Sequence, residues 1–171
     1  MKEILCGSSC VKYILDKYNV DYKDLNINMN WISELAIYLK SKSINIDVKC
    51  YKSNLYDDYK KLKDLSFDGF KYIDELLKLG VSIKEEKLTK KELISEIENN
   101  EYIILCVESS KLNNDKTMNG GHYIVLNGIK DNKVNVINPI KDKYENRLED
   151  LNDIINYCKD YGSWRILVKE K

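Results

Sequence analysis

The sequence predicts an α+β fold, with an N-terminal helix and further helices packed on a mainly antiparallel β-sheet. Apolar residues recur at helical spacing through the first half of the chain, and alternating or continuously apolar strands crowd the second half. No regular β-α alternation links the halves, which argues against a parallel doubly wound sheet. At 171 residues, with no internal repeat or linker-like stretch, residues 1–171 are expected to form one domain.

Val11, Ile14, Leu15 and Tyr18 mark a first helix that starts near Ser8 and ends about Tyr18. A second helix is expected from about Trp31 to Lys42, burying Ile32, Leu35, Ala36 and Leu39. INIDVKCY alternates, with Ile44, Ile46, Val48 and Cys50 on one face, as in a half-buried strand. Helical patterning returns from Leu55 to Leu79, is broken around Phe67 to Gly69, and stops at Gly80. Thr89 and Glu92 have capping-box spacing before Leu93, Ile94 and Ile97. YIILCVE reads as a strand buried on both faces, and Ser110 to Gly121 as a loop. HYIVLNGI and KVNVINP are expected to pair as a hairpin, followed by a helix near Leu148 to Asp160 and a last strand in SWRILV.

Bulk composition narrows the function classes. Lys and Arg balance Asp and Glu at 28 each, so charge gives no reason to expect nucleic acid or an anionic membrane as partner. Apolar runs such as YIILCV are too short to span a bilayer, and no membrane insertion is expected. The residues ahead of Cys6 leave no room for a signal-peptide core, and five cysteines is an odd number. Both features predict a cytoplasmic location with free thiols. There is no P-loop or other cofactor motif, so no cofactor is expected. His122 is the single histidine, and any imidazole chemistry must use it.

The thiols divide by setting. Cys6 in CGSSC lies at the start of a helix, where unpaired N–H groups and the helix dipole favour a thiolate, and Gly7-Ser8-Ser9 leaves room for close approach. Cys10 sits beside the apolar stripe, and Cys50, Cys106 and Cys158 are embedded in apolar pattern; these four read as small buried hydrophobes. Asn138 lies an even number of residues after His122, so a hairpin loop of three or five residues points both side chains to one face. A five-residue hairpin loop at Gly128 to Asn132 would set the two directly opposite, so that the amide oxygen accepts an imidazole N–H. Pro139 then ends the ladder.

LCGSSCVKYIL resembles the D-C-G-x-x-C-x-x-x-x-L opening of the papain-like cysteine peptidases that trim double-glycine leaders in bacteriocin exporters. GGHYIVLNGIKDNKVNVINP resembles their second signature, G-H-[FY]-[IV]-V-L-x-G and then a strand ending in [DN]-P. WISELAIYL is similar to the W-[TS]-x-x-L-A-x-x-L segment of the related guanylyl-cyclase-like family, and with it the resemblance spans nearly the whole chain. It implies a papain-like fold, with Cys6 as nucleophile, His122 as general base and acid, and Asn138 as the residue that orients the imidazole. Asn replaces the Asp usual in the leader peptidases at the third position. The Gln that those families carry about six residues before the cysteine, as an oxyanion donor, has no counterpart in MKEIL. The backbone N–H of Cys6 supplies one donor and the second is unassigned.

The expected activity is cysteine-dependent acyl transfer through an S-acyl-enzyme, in a narrow-specificity cysteine protease homologue. The acyl group passes either to water, as in peptide or amide hydrolysis, or to an amine, as in amide-bond formation for peptide natural-product biosynthesis. The expected partner is a peptide or an acyl-thioester, the latter presented on a carrier protein. Two other readings stay open: a peptide-binding module of the same fold without catalysis, and a zinc site built from Cys6, Cys10 and His122.

Overall fold

In the computed structural model, residues 5–50, 75–81, 83–140, 143–161 and 163–170 are described. In chain order the elements are α1 (Cys6–Tyr18), α2 (Ile32–Ser41), β1 (Ile46–Cys50), β2 (Ile83–Glu85), α3 (Lys90–Asn99), β3 (Tyr102–Glu108), α4 (Ser109–Asn113), β4 (Gly121–Lys130), β5 (Lys133–Ile140), β6 (Lys143–Asp150), α5 (Leu151–Cys158) and β7 (Arg165–Val168). A 3₁₀ turn, Lys159–Tyr161, follows α5. The strands form one seven-stranded sheet in the order β2-β1-β7-β3-β4-β5-β6. Its neighbours are antiparallel except for β2, which runs parallel to β1 at the edge. The α+β expectation and its mainly antiparallel sheet are thus met.

Side-chain alternation divides the interior into two layers. Ile104 and Cys106 of β3 and Val125 of β4 join the core under α1 and α2, made by Cys10, Val11, Ile14, Leu35 and Leu39. Ile103, Leu105 and Val107, with Ile124 and Leu126, face Leu93 and Ile97 of α3 and Ile154 and Cys158 of α5. β3 is buried on both faces, as its uninterrupted apolar run predicts. Cys10, Cys50, Cys106 and Cys158 are all buried, as their apolar settings imply.

Arg165 and Glu96 lie within the second layer, and both are buried. Arg165 donates through Nε and Nη2 to the two oxygens of Glu96, at 2.7 and 2.6 Å. Lys49 Nζ approaches the same carboxylate at 3.1 Å. β7, α3 and β1 are joined by this bidentate pair and its lysine, which satisfy charges that burial would otherwise make costly.

Several boundaries differ from the sequence reading. α1 begins at Cys6 rather than near Ser8, because extended Leu5 caps it and its carbonyl already accepts the Ser9 N–H at 2.9 Å. Trp31 and Lys42 are the caps of α2, not members of it. Most of the helix expected over Leu55 to Leu79 lies outside the described residues; a helical turn over 75–78 precedes Gly80, whose φ is +73°. Thr89 caps α3 by accepting the Glu92 N–H at 3.2 Å, as its spacing predicts. The loop expected from Ser110 contains the short α4 and then runs through Asn114 to Gly120.

The largest correction is β6. The helix expected from Leu148 begins at Leu151, and 143–150 form a strand paired with β5 along its whole length. KYENRLED is polar except for Tyr144 and Leu148, because this strand lies at the sheet edge and much of it meets water, so no apolar alternation announces it. SWRILV supplies β7, a central strand between β1 and β3.

Candidate active site

The N-terminal end of α1 is fixed by a strap formed by residues 26–29. Leu5 N–H donates to Ile27 O at 3.0 Å, Ser8 Oγ donates to Asn26 O at 2.8 Å, and the Met29 N–H donates back to Ser8 Oγ at 3.1 Å. Gly7 is required by this approach: a Cβ there would stand 2.9 Å from Met29 O and 3.1 Å from Leu35 Cδ2. Cys6 is therefore held as the first residue of a 13-residue helix, and Ser9 donates the first intrahelical N–H. The N–H groups of Cys6, Gly7 and Ser8 lie outside the helical ladder, beside the thiol.

β4 and β5 bring the other two residues. β4 stays paired with β3 as far as Gly121, but its ladder with β5 ends at Val125 and Ile137. Beyond that point the two strands part, and the start of α1 meets β4 there. Cys6 and His122 line the same cleft there, and the imidazole and the backbone N–H groups of Tyr123 and Gly7 act on the thiol to favour the thiolate. Gly121, just before His122, packs so closely that an added Cβ would lie 3.0 Å from the Tyr161 ring and 3.1 Å from Cys106 Sγ.

His122 Nε2–H donates to Asn138 Oδ1 at 2.7 Å, since an amide oxygen can only accept. Nδ1 is then the ring nitrogen that exchanges a proton with the thiol. Asn138 is fully buried, and its Nδ2 lies 3.5 Å from Glu145 Oε2 on the facing β6 position. Glu145 thereby favours the amide orientation that points Oδ1 at the imidazole. Sequence reasoning missed Glu145 because it missed the strand that carries it.

The register corrects the expected hairpin. The turn is the two residues Asp131 and Asn132, both at positive φ (51° and 62°), and not a five-residue loop. A β-bulge at Gly128, φ +65°, lies between the Asn127–Asn135 and Ile129–Val134 pairs. Asn138 is consequently offset from His122 along the strands rather than directly opposite, yet the two share a face.

The electrostatics fit a thiol–imidazole pair. Burial raises the Cys6 pKa, but the His122 hydrogen bond, the Tyr123 N–H, the imidazole charge and the Gly7 N–H together bring it below the ordinary thiol value. Burial lowers the His122 pKa, and the bond and charge of Cys6 with the Asn138 bond raise it above the ordinary imidazole value. Burial pushes Cys10 well up and Cys106 up to about 12, so these neighbours remain protonated thiols. Among the described residues no three His, Cys, Asp or Glu side chains converge as metal ligands, so Cys6, Cys10 and His122 do not assemble the zinc site left open by the sequence.

Cys6, His122 and Asn138 line a cleft of about 290 Å³. Its polar wall adds Ser9 of α1 and Ser109 and Asn113 of α4; its apolar wall is Leu5, Met118, Pro139 and Ile140. Met118 and Ile140 stay 43% and 42% exposed, unusual for large apolar side chains in this fold. Among the described residues no Lys, Arg, Asp or Glu lines the cleft. Among the described residues no helix is long and apolar enough to cross a membrane. No protein-family model and no curated protein sequence matches the chain.

Proposed function

We propose that this chain is a papain-like, cysteine-dependent acyl-transfer enzyme with a Cys6–His122–Asn138 triad. The observation that carries the reading is the meeting, in one cleft, of a lowered-pKa thiol at a helix start with an imidazole oriented by a buried amide. These residues come from α1, β4 and β5, and no simple packing requirement brings a half-buried thiol, a histidine and an asparagine together. The five free thiols suit a reducing compartment, and the reading includes a cytoplasmic setting.

In the proposed cycle His122 takes the Cys6 proton and the thiolate adds to a carbonyl carbon. The oxyanion is stabilised by N–H groups at the start of α1. Collapse breaks the carbonyl bond to the leaving group, which receives the proton from His122, and leaves an S-acyl thioester on Cys6. Water or an amine then attacks the thioester, His122 accepts its proton, and the thiol is regenerated. Water gives narrow-specificity peptide or amide hydrolysis. An amine gives a new amide, the outcome that a carrier-bound acyl thioester in peptide natural-product biosynthesis would need.

Intact-protein mass spectrometry tests the shared first half. Incubation with acyl thioesters or with an activated ester is expected to add one acyl group, lost in Cys6→Ala and His122→Ala and kept in Cys10→Ala. Adding amines to the S-acyl protein then separates aminolysis from hydrolysis. A wild-type protein that acquires no Cys6 adduct from any of these donors would leave a peptide-binding module as the better reading.

A further inference from the structure

CGSSC holds two buried serines with different surroundings. Ser8 Oγ is bonded twice to the strap over α1, at 2.8 and 3.1 Å. Ser9 is only 6% exposed, yet its hydroxyl makes no hydrogen bond to the described residues. Both of its backbone groups are occupied: its N–H donates to Leu5 O at 2.9 Å, and its carbonyl accepts the Tyr144 hydroxyl at 3.0 Å. The hydroxyl is not sealed in the core either, since Ser9 lines the Cys6 cleft and is not among the wholly enclosed unpaired polar groups.

Position adds to this. Residues three apart on a helix share a face, and side chains lean toward the helix N-terminus. The Ser9 hydroxyl therefore leans toward the turn that carries Cys6 and its outward N–H. The other polar side chains outside the triad are engaged: Asn113 Nδ2 donates to Ser109 O at 3.0 Å, and Ser109 Oγ lies 3.7 Å from Met118 Sδ. The Ser9 hydroxyl, open to the cleft and without a described partner, can donate to a group bound beside Cys6.

We infer that the Ser9 hydroxyl is an oxyanion donor, hydrogen-bonding with the Cys6 N–H to the tetrahedral oxygen formed during acylation. The inference rests on the acyl-transfer reading above. It makes Ser9 a catalytic residue that acts through the transition state of carbonyl addition and has no part in activating the thiol.

That distinction gives the test. Iodoacetamide alkylates a thiolate by displacement at a saturated carbon, with no oxyanion, whereas p-nitrophenyl acetate must pass through one. With p-nitrophenyl acetate, Ser9→Ala is expected to slow Cys6 acylation roughly 100- to 1,000-fold, the range for losing one oxyanion donor. Its iodoacetamide rate at Cys6 and the pH midpoint of that rate should stay within about twofold of wild type. Ser9→Thr keeps the hydroxyl and should keep most of the acylation rate. Equal acylation by wild type and Ser9→Ala overturns the assignment, as does an equal loss in Ser9→Ala and Ser9→Thr. A parallel fall in alkylation and acylation overturns it too, by showing a structural role. If wild type itself gives no Cys6 adduct, the acyl-transfer reading fails and Ser9 falls with it.

Discussion

His122 and Asn138 are joined by a 2.7 Å hydrogen bond across a hairpin whose turn alone would put them on opposite faces of the sheet. The two-residue turn pairs Lys130 with Lys133, and with that register carried straight along the strands an even-numbered β4 residue faces an odd-numbered β5 residue. The bulge at Gly128 adds one residue to β4, so that Val125 faces Ile137 and the even-numbered pair 122 and 138 share a side. One residue of slip inverts the facing of a whole strand, and here that inversion brings imidazole and amide together.

Deleting Gly128 should remove the bulge yet leave the register as it is, because Ile129–Val134 and Asn127–Asn135 become consecutive pairs and Val125 still faces Ile137. The expected result is that His122 and Asn138 stay on one face and the iodoacetamide rate of Cys6 stays within about threefold of wild type. Gly128→Ala is the control: it keeps the bulge, strains a residue at φ +65°, and costs about 1 kcal/mol of stability with Cys6 reactivity retained. Circular dichroism and Tm measured alongside report the fold. A folded deletion variant whose Cys6 reactivity falls about tenfold or more would show that the bulge itself, and not the strand register, holds His122 against Asn138.

The same hairpin shows what the sequence makes legible. An even separation between His122 and Asn138 was readable, and so was their common face. The expected route, a loop of three or five residues, is not the one the chain takes, because a tight Asp131–Asn132 turn plus a bulge has the same parity as an odd-numbered loop. Nothing short of the observed register separates these cases. Apolar periodicity exposed α1, α2, α3, β1 and β3, whose faces are buried. It was silent on β6, whose polar residues lie at an edge, and on β2 and α4, of three and five residues, too short to show a period. Glu145 and Ser9 were hidden for related reasons: the first sits on an unannounced strand, and the second is set apart from Ser8 only by its missing partner.

The pKa shifts fix the direction of a pH experiment. Cys6 lies below the 9.0 of an isolated thiol because its hydrogen bonds and the imidazole charge outweigh burial. Its alkylation rate should follow the thiolate fraction, with a midpoint below 9.0. His122→Ala removes the imidazole bond and charge while much of the burial remains, so the midpoint should move upward. Cys10 and Cys106 stay protonated over this range and should react far more slowly than Cys6. Peptide mapping after alkylation at several pH values gives all of these rates, and a downward shift in His122→Ala would contradict the pairing.

Arg165 and Glu96 make a stability prediction independent of the cleft. Glu96→Leu leaves the buried guanidinium with the Ser163 carbonyl at 3.0 Å and a marginal contact to Glu86 O at 3.5 Å. This single change should cost roughly 3–5 kcal/mol. Arg165→Met should cost less than Glu96→Leu, because Lys49 still pairs with the carboxylate at 3.1 Å. The double variant Glu96→Leu/Arg165→Met should be more stable than Glu96→Leu alone, since it buries no unpaired charge. Urea denaturation with a double-mutant cycle measures this, and additive costs would show that the pair is not coupled.

The exposed apolar wall predicts how the cleft selects an acyl group. Met118 and Ile140 line the triad's cleft while nearly half exposed, and among the described residues no Lys, Arg, Asp or Glu lines it with them. An uncharged, apolar acyl chain would remove them from water on binding, whereas an acetyl group is too small to cover them. Wild type should therefore acylate faster from p-nitrophenyl octanoate than from the acetate at low ester concentration. Replacing both residues by Ala in Met118→Ala/Ile140→Ala removes about 1–2 kcal/mol of this burial, or roughly 5- to 30-fold in KM for the octanoate. The acetate rate and the iodoacetamide rate should hold, because neither uses the wall. An octanoate preference that survives in the double variant would locate acyl recognition elsewhere in the chain.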